Sequence, residues 1–218
     1  MGVTAAEIRR RAEELRGQIT ADRRYLHQIP EIGMELPKTA DYIRKRLDEM
    51  GIPWENCGGN LPEQVTRDFM EAGFPRMERA EGVTAVIGHG SPCILLRADM
   101  DALPIREDSD LEFRSGNGYG HMCGHDSHAA MLLGAAQILK EREDSLAGSV
   151  KLVYQPGEET GAGARVLVEN GLLENPKVDA AFGLHVQSVT RTGELGYAVG
   201  VNSASLNTFI LKIRGSGG

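Results

Sequence analysis

From residue 83 onward, short apolar runs alternate with helical patterns, and this alternation constrains the fold more than any other feature. Helices are predicted at about 126–142 and 161–171. Four runs have the length and apolar character of buried strands: VTAVIG (83–88), CILLRA (93–98), SVKLVY (149–154) and VDAAFG (178–183). Strands and helices that alternate at this spacing form a mainly parallel sheet covered by helices. The sequence therefore predicts an α/β fold.

The first 82 residues carry a different pattern. Apolar positions separated by charged ones predict a helix over 5–29, ended by Pro30, and a second over roughly 38–50. Residues 56–82 contain CGGN, two prolines and a short helical piece near 63–72. We expect this last segment to be insertion-like.

Composition and charge exclude several classes of partner. A hydrophobic fraction of 41% over 218 residues is enough for a core. The net charge of −7 argues against nucleic acid, which needs a basic surface. No apolar run has the length of a membrane span, and the start of the chain has the pattern of an amphipathic helix rather than a signal peptide. Three cysteines without a CxxC pair fit a reducing compartment, so a cytoplasmic location is expected.

Reactive side chains follow directly after three of the predicted strands. Asp99 and Asp101 follow CILLRA, Glu158 and Glu159 follow SVKLVY, and His185 follows VDAAFG. In an open α/β sheet, ligand sites form outside the carboxyl ends of the strands. We therefore expect these five side chains to gather at one edge of the sheet.

The densest reactive cluster is GHMCGHDSH (120–128), which precedes the helix predicted at 126–142. It combines three histidines with a cysteine and an aspartate: His121, Cys123, His125, Asp126 and His128. A lone histidine is most often a hydrogen-bonded core or surface residue. Three of them beside a thiol and neighbouring carboxylates instead make the ligand set of zinc or another divalent transition metal. Asp126 is also placed to cap the helix.

Five segments, in this order, resemble a known family: RRYLHQIPEIGMEL, RADMDALPI, GHMCGHDSHAA, QPGEE and GLHV. The family is that of the metal-dependent aminoacylase/carboxypeptidase-G-like amidohydrolases, which are metallopeptidases. Within that superfamily, the segments most resemble the branch of hippurate hydrolase, indole-acetyl-amino-acid hydrolase and aminobenzoyl-glutamate hydrolase. The resemblance covers nearly the whole chain except 56–82. It implies a zinc-exopeptidase-like catalytic domain that hydrolyses the amide bond of N-acyl amino acids or small peptide-like amides.

The resemblance also implies a role for each main residue of the cluster. Cys123 stands where the wider superfamily has an aspartate that bridges two metal ions. His125 and His185 would complete one metal site with it, and Glu159 would join Cys123 at the other. Glu158 would be the general base, which takes a proton from metal-activated water and returns it to the departing amine.

Neighbouring polar residues are assigned supporting roles by the same resemblance. Asp101 matches the acid that supports the metal cluster, and is grouped with Glu158 in the catalytic machinery. Asp99 occupies a position where many superfamily members have a metal-binding histidine, so His125 is expected to supply that nitrogen. Contacts with the ligands or the substrate are expected from three further residues, with a plain structural role as the alternative: His121, Asp126 and His128.

The resemblance implies two divalent metal ions as cofactors, and Zn, Mn, Co and Ni all tolerate such a mixed ligand set. It further implies a chain shorter than its relatives. Residues 1–204 would be the N-terminal part of the catalytic domain, and 205–218 the first strand of an inserted α+β lid, which supports a homodimer in the complete protein. Because the lid and the last ligand would follow Gly218, we predict a weakened second metal site and little amidase activity for the 218-residue chain alone.

Three alternatives come from other classes of protein. The main one is a non-catalytic metal-binding or interaction fragment of the same lineage. A zinc nucleobase deaminase would need a P-C-x-x-C segment, which the sequence lacks. A thiol enzyme with Cys123 as nucleophile and His125 as base would leave the two glutamates unexplained. Of the other cysteines, Cys93 is predicted to be a core residue and Cys57 an incidental loop thiol.

Overall fold

A five-stranded sheet with helices on both faces organises the protein. The computed structural model describes residues 4–201, 204, 211 and 213–215. The helices are α1 (Ala5–Glu14), α2 (Arg16–Gln28), α3 (Pro37–Glu49), α4 (Glu63–Glu71), α5 (His125–Lys140) and α6 (Gly163–Glu169), with a short 3-10 turn at Glu143–Ser145. The strands are β1 (Trp54–Asn60), β2 (Arg79–Gly88), β3 (Cys93–Asp99), β4 (Ser149–Gln155) and β5 (Ala180–Gly183).

The strand order is β1-β2-β4-β3-β5. Strand β3 runs parallel to both β4 and β5, whereas β1 and β4 each pair with β2 in the antiparallel direction. The predicted α/β fold with a helix-covered sheet is confirmed, and its sheet is mixed: parallel from β4 to β5 and antiparallel at the β1 side. The carboxyl ends of β3, β4 and β5 consequently lie at one edge.

Apolar residues on the two faces of the sheet form separate cores. On one face, Leu133 of α5 and Ile43 of α3 pack with Leu152 of β4. On the other face, Leu167 of α6 packs against Val153, the next residue of β4. Successive side chains of a strand point to opposite faces, which accounts for this division. Burying one such aliphatic side chain contributes about 1.5–3 kcal/mol, so both helix layers hold β4 in place.

The prediction of one helix over 5–29 is wrong in the middle of that range, where one helix ends and a second begins. Helix α1 begins with a capping box between Thr4 and Glu7 and ends at Leu15, whose φ and ψ are −84° and −5°. Helix α2 then starts at Arg16. Gly17, directly after the junction, disfavours a continuous helix because glycine has a large conformational entropy to lose. The other helices and strands predicted within the described residues agree with the observed ones to within a few residues at each end.

Residues 56–82, which were expected to be insertion-like, supply part of the main sheet. Strand β1 pairs antiparallel with β2 from Trp54 opposite Ala85 to Asn60 opposite Arg79, so the segment supplies one edge of the main sheet. Gly58 is one reason why the sequence does not predict this strand. Its φ is 115°, and a Cβ there would lie 2.5 Å from the carbonyl oxygen of Ala80 in β2. Cys57 accordingly lies in a strand rather than in a loop.

The end of the chain leaves one prediction open. Most of the proposed lid strand, TFILKI, lies outside the described residues, so the division of the chain at residue 204 stays a prediction. Among the helices that the structure describes, none combines the length and the apolar character that crossing a bilayer requires.

Candidate metal centre

The parallel part of the sheet brings the residues predicted from the sequence to one edge. Asp99 is the last residue of β3, and His185 lies two residues beyond β5. Glu158 and Glu159 lie in the turn that follows β4. His125 is the first residue of α5. Strand ends and a helix start thus meet where an open α/β sheet forms its ligand sites.

A left-handed glycine sets the start of α5. Gly124 precedes the helix with a φ of 92°, and a Cβ there would lie 2.5 Å from the Val186 side chain. Glycine adopts this conformation without steric cost. The tight turn between Cys123 and His125 therefore depends on the absence of a side chain at position 124.

His125 lies at the centre of the candidate site and is fully buried. Its Nδ1 lies 2.9 Å from the backbone oxygen of Asp101, to which it donates. In the neutral ring, which is the form that binds a metal, that bond leaves Nε2 without a proton. Nε2 lies 3.6 Å from a carboxylate oxygen of Asp99 and 3.8 Å from one oxygen each of Glu158 and Glu159. It has no hydrogen-bond partner among the described residues.

Cys123 and His185 form the other half of the cluster. The Sγ of Cys123 lies 3.4 Å from Nε2 of His185. The Nδ1 of His185 donates to the backbone oxygen of Val186 at 2.5 Å. The lone pair of His185 Nε2 is thereby directed toward the thiol.

The distances between the candidate ligand atoms fit a divalent metal ion. Among the described residues, three groups have ligand atoms that all lie within 4.8 Å of one another, and two of them contain the predicted ligands: Cys123, His125 and His185, and His125, Glu158 and Glu159. Metal bonds of about 2.0–2.3 Å separate neighbouring ligand atoms by roughly 3–4 Å. The spacings of 3.4 and 3.8 Å between the candidate donors match that range. The buried Oε1 of Glu159, like Nε2 of His125, has no hydrogen-bond partner within the described part of the chain.

The charges at the site also fit a cation. Burial, together with the negative charges of Glu159, Glu158 and Asp99, raises the pKa of the Cys123 thiol to about 12. Burial likewise raises the pKa of Glu159. A bound cation relieves both effects, because it favours the charged form of every group around it.

Asp101 braces two of the candidate ligands. Its Oδ2 accepts a hydrogen bond from the backbone N–H of Glu159 at 3.0 Å, and its Oδ1 lies 3.3 Å from Nδ1 of His125. Its carboxylate therefore links the turn after β4 to the start of α5.

Asp99 is committed to other partners. It is fully buried, lies 2.7 Å from Nη1 of Arg97, and accepts a hydrogen bond from Nδ1 of His128 at 2.5 Å. Burial alone would raise the pKa of Asp99, but the bond from His128 and the charge of Arg97 lower it. Asp99, His125 and His128 also satisfy the distance criterion for a metal group. Because Asp99 already accepts a hydrogen bond from Nδ1 of His128, this group is the least suited of the three to bind a metal ion.

Asp126 does not cap α5, contrary to the prediction, because the capping position is Gly124. The buried carboxylate of Asp126 instead accepts a hydrogen bond from Nδ1 of His27 at 2.7 Å and forms an ion pair with Arg23, whose Nε lies 2.9 Å away. Nε2 of His27 donates in turn to Glu107 at 3.1 Å. Asp126 thus ties α5 to α2 and to the loop that carries Glu107.

The sequence does not predict this network, because His27 stands out only as part of the segment RRYLHQIPEIGMEL. His27 is separated from Asp126 by 99 residues and from Glu107 by 80 residues. No local spacing rule connects positions so far apart, and only the fold brings them together.

His121 is buried, and neither of its ring nitrogens has a hydrogen-bond partner in the described ranges. Burial lowers its pKa to about 4, so the ring is neutral at pH 7. Its ring centroid lies 6.3 Å from that of His27. His121 therefore lies beside the His27 network rather than among the candidate metal donors.

The network predicts a pH-dependent stability. Burial by itself raises the pKa of Glu107, but bonds from Ser109, from the Ser115 N–H and from His27 lower it to about 2, below its ordinary value of 4.5. A lowered folded-state pKa stabilises the fold above the unfolded-state value and ceases to do so as the pH falls through the folded-state value. The difference in unfolding free energy between the wild type and Glu107→Gln should therefore be full near pH 6 and shrink between about 4.5 and 2.

Urea unfolding at several pH values measures this difference. Glu112→Gln, a change of an exposed acid in the same loop, is the matched control and should show little difference from the wild type at any pH. A Glu107→Gln difference that stays constant down to about pH 2 would show that the bonds to Glu107 do not lower its pKa.

Comparisons with known proteins agree with this metal-binding α/β architecture. The sequence profile of peptidase family M20/M25/M40 matches residues 95–213. Because the match covers more than half of the 218 residues, the chain belongs to this family.

Individual relatives are similar over most of this chain. It is 43% identical over 198 residues to IAA-amino acid hydrolase ILR1-like 5 of Arabidopsis thaliana, covering 90% of this chain and 40% of that protein. It is 40% identical over 206 residues to N-acetyl-L-cysteine deacetylase of Bacillus subtilis, covering 93% and 44%. A crystal structure of a dinuclear metal-binding M20 peptidase from Bacillus subtilis superposes with a TM-score of 0.65 at 35% identity, covering 80% and 44%. The chain therefore spans less than half the length of these relatives.

Proposed function

We propose that the chain contributes most of the metal site of a hydrolase that cleaves the amide bond of N-acyl amino acids or small peptide-like amides. The observation that carries the proposal is the convergence of candidate ligand atoms around Nε2 of His125, which, like Oε1 of Glu159, has no hydrogen-bond partner among the described residues. The substrate class is supported by the names of two relatives, an IAA-amino acid hydrolase and an N-acetyl-L-cysteine deacetylase.

In this proposal the metal ligands are Cys123, His125, Glu159 and His185. A pair of divalent ions is supported by the dinuclear relative. Zinc, manganese, cobalt and nickel all accept thiolate, imidazole and carboxylate together. A bound ion of this kind polarises a carbonyl oxygen and lowers the pKa of water.

Glu158 is the general base. Its side chain is 39% exposed, against 20% for Glu159, so Glu158 faces the open side of the site while Glu159 faces its interior. Glu158 takes the proton of the attacking water and delivers it to the nitrogen of the departing amine. Asp101 supports this division because it holds the backbone of Glu159.

The 218-residue chain alone is proposed to have little activity. Relatives have more than twice the aligned length, and the extra length would supply the lid, the last ligand and a dimer contact. Substrate positioning of that kind contributes up to about 7–11 kcal/mol to catalysis. A cytoplasmic location belongs to the same proposal and is supported by the free cysteines.

Metal content and hydrolysis, measured together, test the proposed function. The chain is loaded with Zn²⁺, Mn²⁺, Co²⁺ or Ni²⁺, dialysed and analysed for bound metal, and release of free amino acid from N-acetyl and N-benzoyl amino acids is followed. We expect the wild type to retain metal, and Cys123→Ala and Glu159→Ala to lose most of it. Cys57→Ala, which removes a thiol from β1, is the matched control and should retain metal.

Two outcomes would contradict parts of the proposal. A wild-type chain that retains none of the four metals removes the metal site itself. Metal retention without hydrolysis in a chain extended to the length of its relatives would favour the alternative, a metal-binding fragment without catalysis.

A further inference from the structure

A line of hydrogen bonds connects β3 to the candidate ligand His185 through residues that bind no metal in the proposed site. Nδ1 of His128 donates to Asp99 at 2.5 Å. Nε2 of His128 accepts the backbone N–H of Val186 at 2.9 Å. The backbone oxygen of Val186 accepts from Nδ1 of His185 at 2.5 Å. We propose that His128 is a positioning residue that holds His185 in its metal-binding orientation through the backbone of Val186.

The bonds fix the tautomers of both histidines. Because Val186 N–H donates to Nε2 of His128, that nitrogen carries no proton, and the proton of the neutral ring is on Nδ1, facing Asp99. Because the Val186 oxygen accepts from Nδ1 of His185, Nε2 of His185 is the bare nitrogen. This is the nitrogen that lies 3.4 Å from the Cys123 thiol. A metal-binding histidine usually donates its other ring N–H to a carbonyl or carboxylate in this manner.

Position along the chain explains why His185 needs such a support. Strand β5 ends at Gly183 and its residues are exposed, with Phe182 63% exposed. Val186 lies three residues beyond that strand, and its N–H is held by a side chain of α5 instead of by a neighbouring strand. His128, by contrast, is 3% exposed and anchored to the fully buried Asp99. A rigid group thus holds a segment at the edge of the fold.

The rings of the two histidines are in contact as well. The centroids of His128 and His185 are 4.7 Å apart, and the ring planes meet at 67°. This edge contact limits rotation of the His185 ring about its side-chain bonds. Restriction before binding reduces the entropy that metal binding must remove.

The competing interpretation is a buried histidine that merely satisfies its own hydrogen bonds. It predicts that any replacement of His128 lowers stability and leaves the metal affinity of the folded protein unchanged. Positioning predicts instead that the acceptor facing Val186 is what matters. The two interpretations make different predictions for two amide substitutions of His128. In His128→Gln the side-chain oxygen can occupy the place of Nε2, whereas in His128→Asn it reaches only the place of Nδ1.

The experiment is a titration of the 218-residue chain with Co²⁺, which reports both affinity and geometry through its visible absorption and its thiolate charge-transfer band. We expect His128→Asn to weaken binding by about 10- to 100-fold and to change the visible spectrum. His128→Gln should remain within a few-fold of the wild type. The two variants should have similar thermal unfolding temperatures in the metal-free state. A difference between them in Co²⁺ affinity then reports the positioning of His185 rather than the stability of the fold.

The inference is wrong if His128→Asn binds Co²⁺ with wild-type affinity and spectrum, or if Gln and Asn are equally impaired. It rests on the proposed metal site, and a wild-type chain that binds no Co²⁺ would instead contradict that proposed function. An observation on the wild type needs no variant: ¹⁵N NMR of the imidazoles should show a protonated Nδ1 and a bare Nε2 for His128. A protonated Nε2 would overturn the inference even if both variants failed to fold.

Discussion

Glu158→Gln, made in an enzyme that contains this chain and completes its site, should lower kcat by about 10²–10⁴-fold. Bound metal and KM should change little. Glutamine keeps the size of the side chain but cannot accept the proton of the attacking water at neutral pH. Because Glu158 is the more exposed of the two glutamates, its loss as a base should leave the metal ligands in place.

Two further variants test whether Glu158 and Glu159 have different roles, as base and as metal ligand. Glu159→Gln is expected to lose metal as well as activity, since its buried Oε1 is a proposed ligand atom. Glu169→Gln, on the exposed surface of α6 where it pairs with Arg165, should alter neither. The measurements are kcat, KM and metal content of the purified proteins. Full activity in Glu158→Gln with metal bound would refute the assignment of the base, and metal loss in that variant would make Glu158 a ligand.

The location of the site was predictable because it depends on strand ends. Apolar runs mark β3, β4 and β5, and Asp99, Glu158 and His185 follow those runs closely in the sequence. Parallel strands place such residues at one edge without further information. The same reasoning could not say which side chains face one another, since Asp99 meets Arg97 and His128 inside the protein instead of facing solvent.

Two errors have physical causes that local patterns do not report. Strand β1 has the sequence WENCGGN, in which glycines with positive φ replace the apolar alternation of a strand, so its pairing with β2 could not be predicted. The buried pair of His27 and Asp126 depends on contact between α2 and α5, far apart in the chain. Periodicity predicts elements, but long-range polar contacts arise only when those elements pack.

The turn that carries both glutamates depends on a glycine outside the site. A Cβ at Gly163, the first residue of α6, would lie 1.9 Å from the backbone oxygen of Pro156 and 2.8 Å from that of Gly157. The N–H of Gly163 also donates to the Gly157 oxygen at 3.1 Å. Pro156 and Gly157 immediately precede Glu158, so the start of α6 packs directly against the backbone of the turn.

Gly163→Ala should therefore lower the free energy of unfolding by about 1–3 kcal/mol or more, as expected when a methyl group is forced into a packed contact. It should also weaken metal binding, because the backbone has to move at the residues that position Glu159. Urea unfolding of the metal-free protein and Co²⁺ titration measure the two effects. Gly17→Ala is the control: nothing lies within 4 Å of a Cβ there, and alanine in α2 should stabilise by up to about 1 kcal/mol. Equal unfolding curves for Gly163→Ala and the wild type would mean that the turn yields without cost, and the close packing of α6 would then not be what holds Glu158 and Glu159 in place.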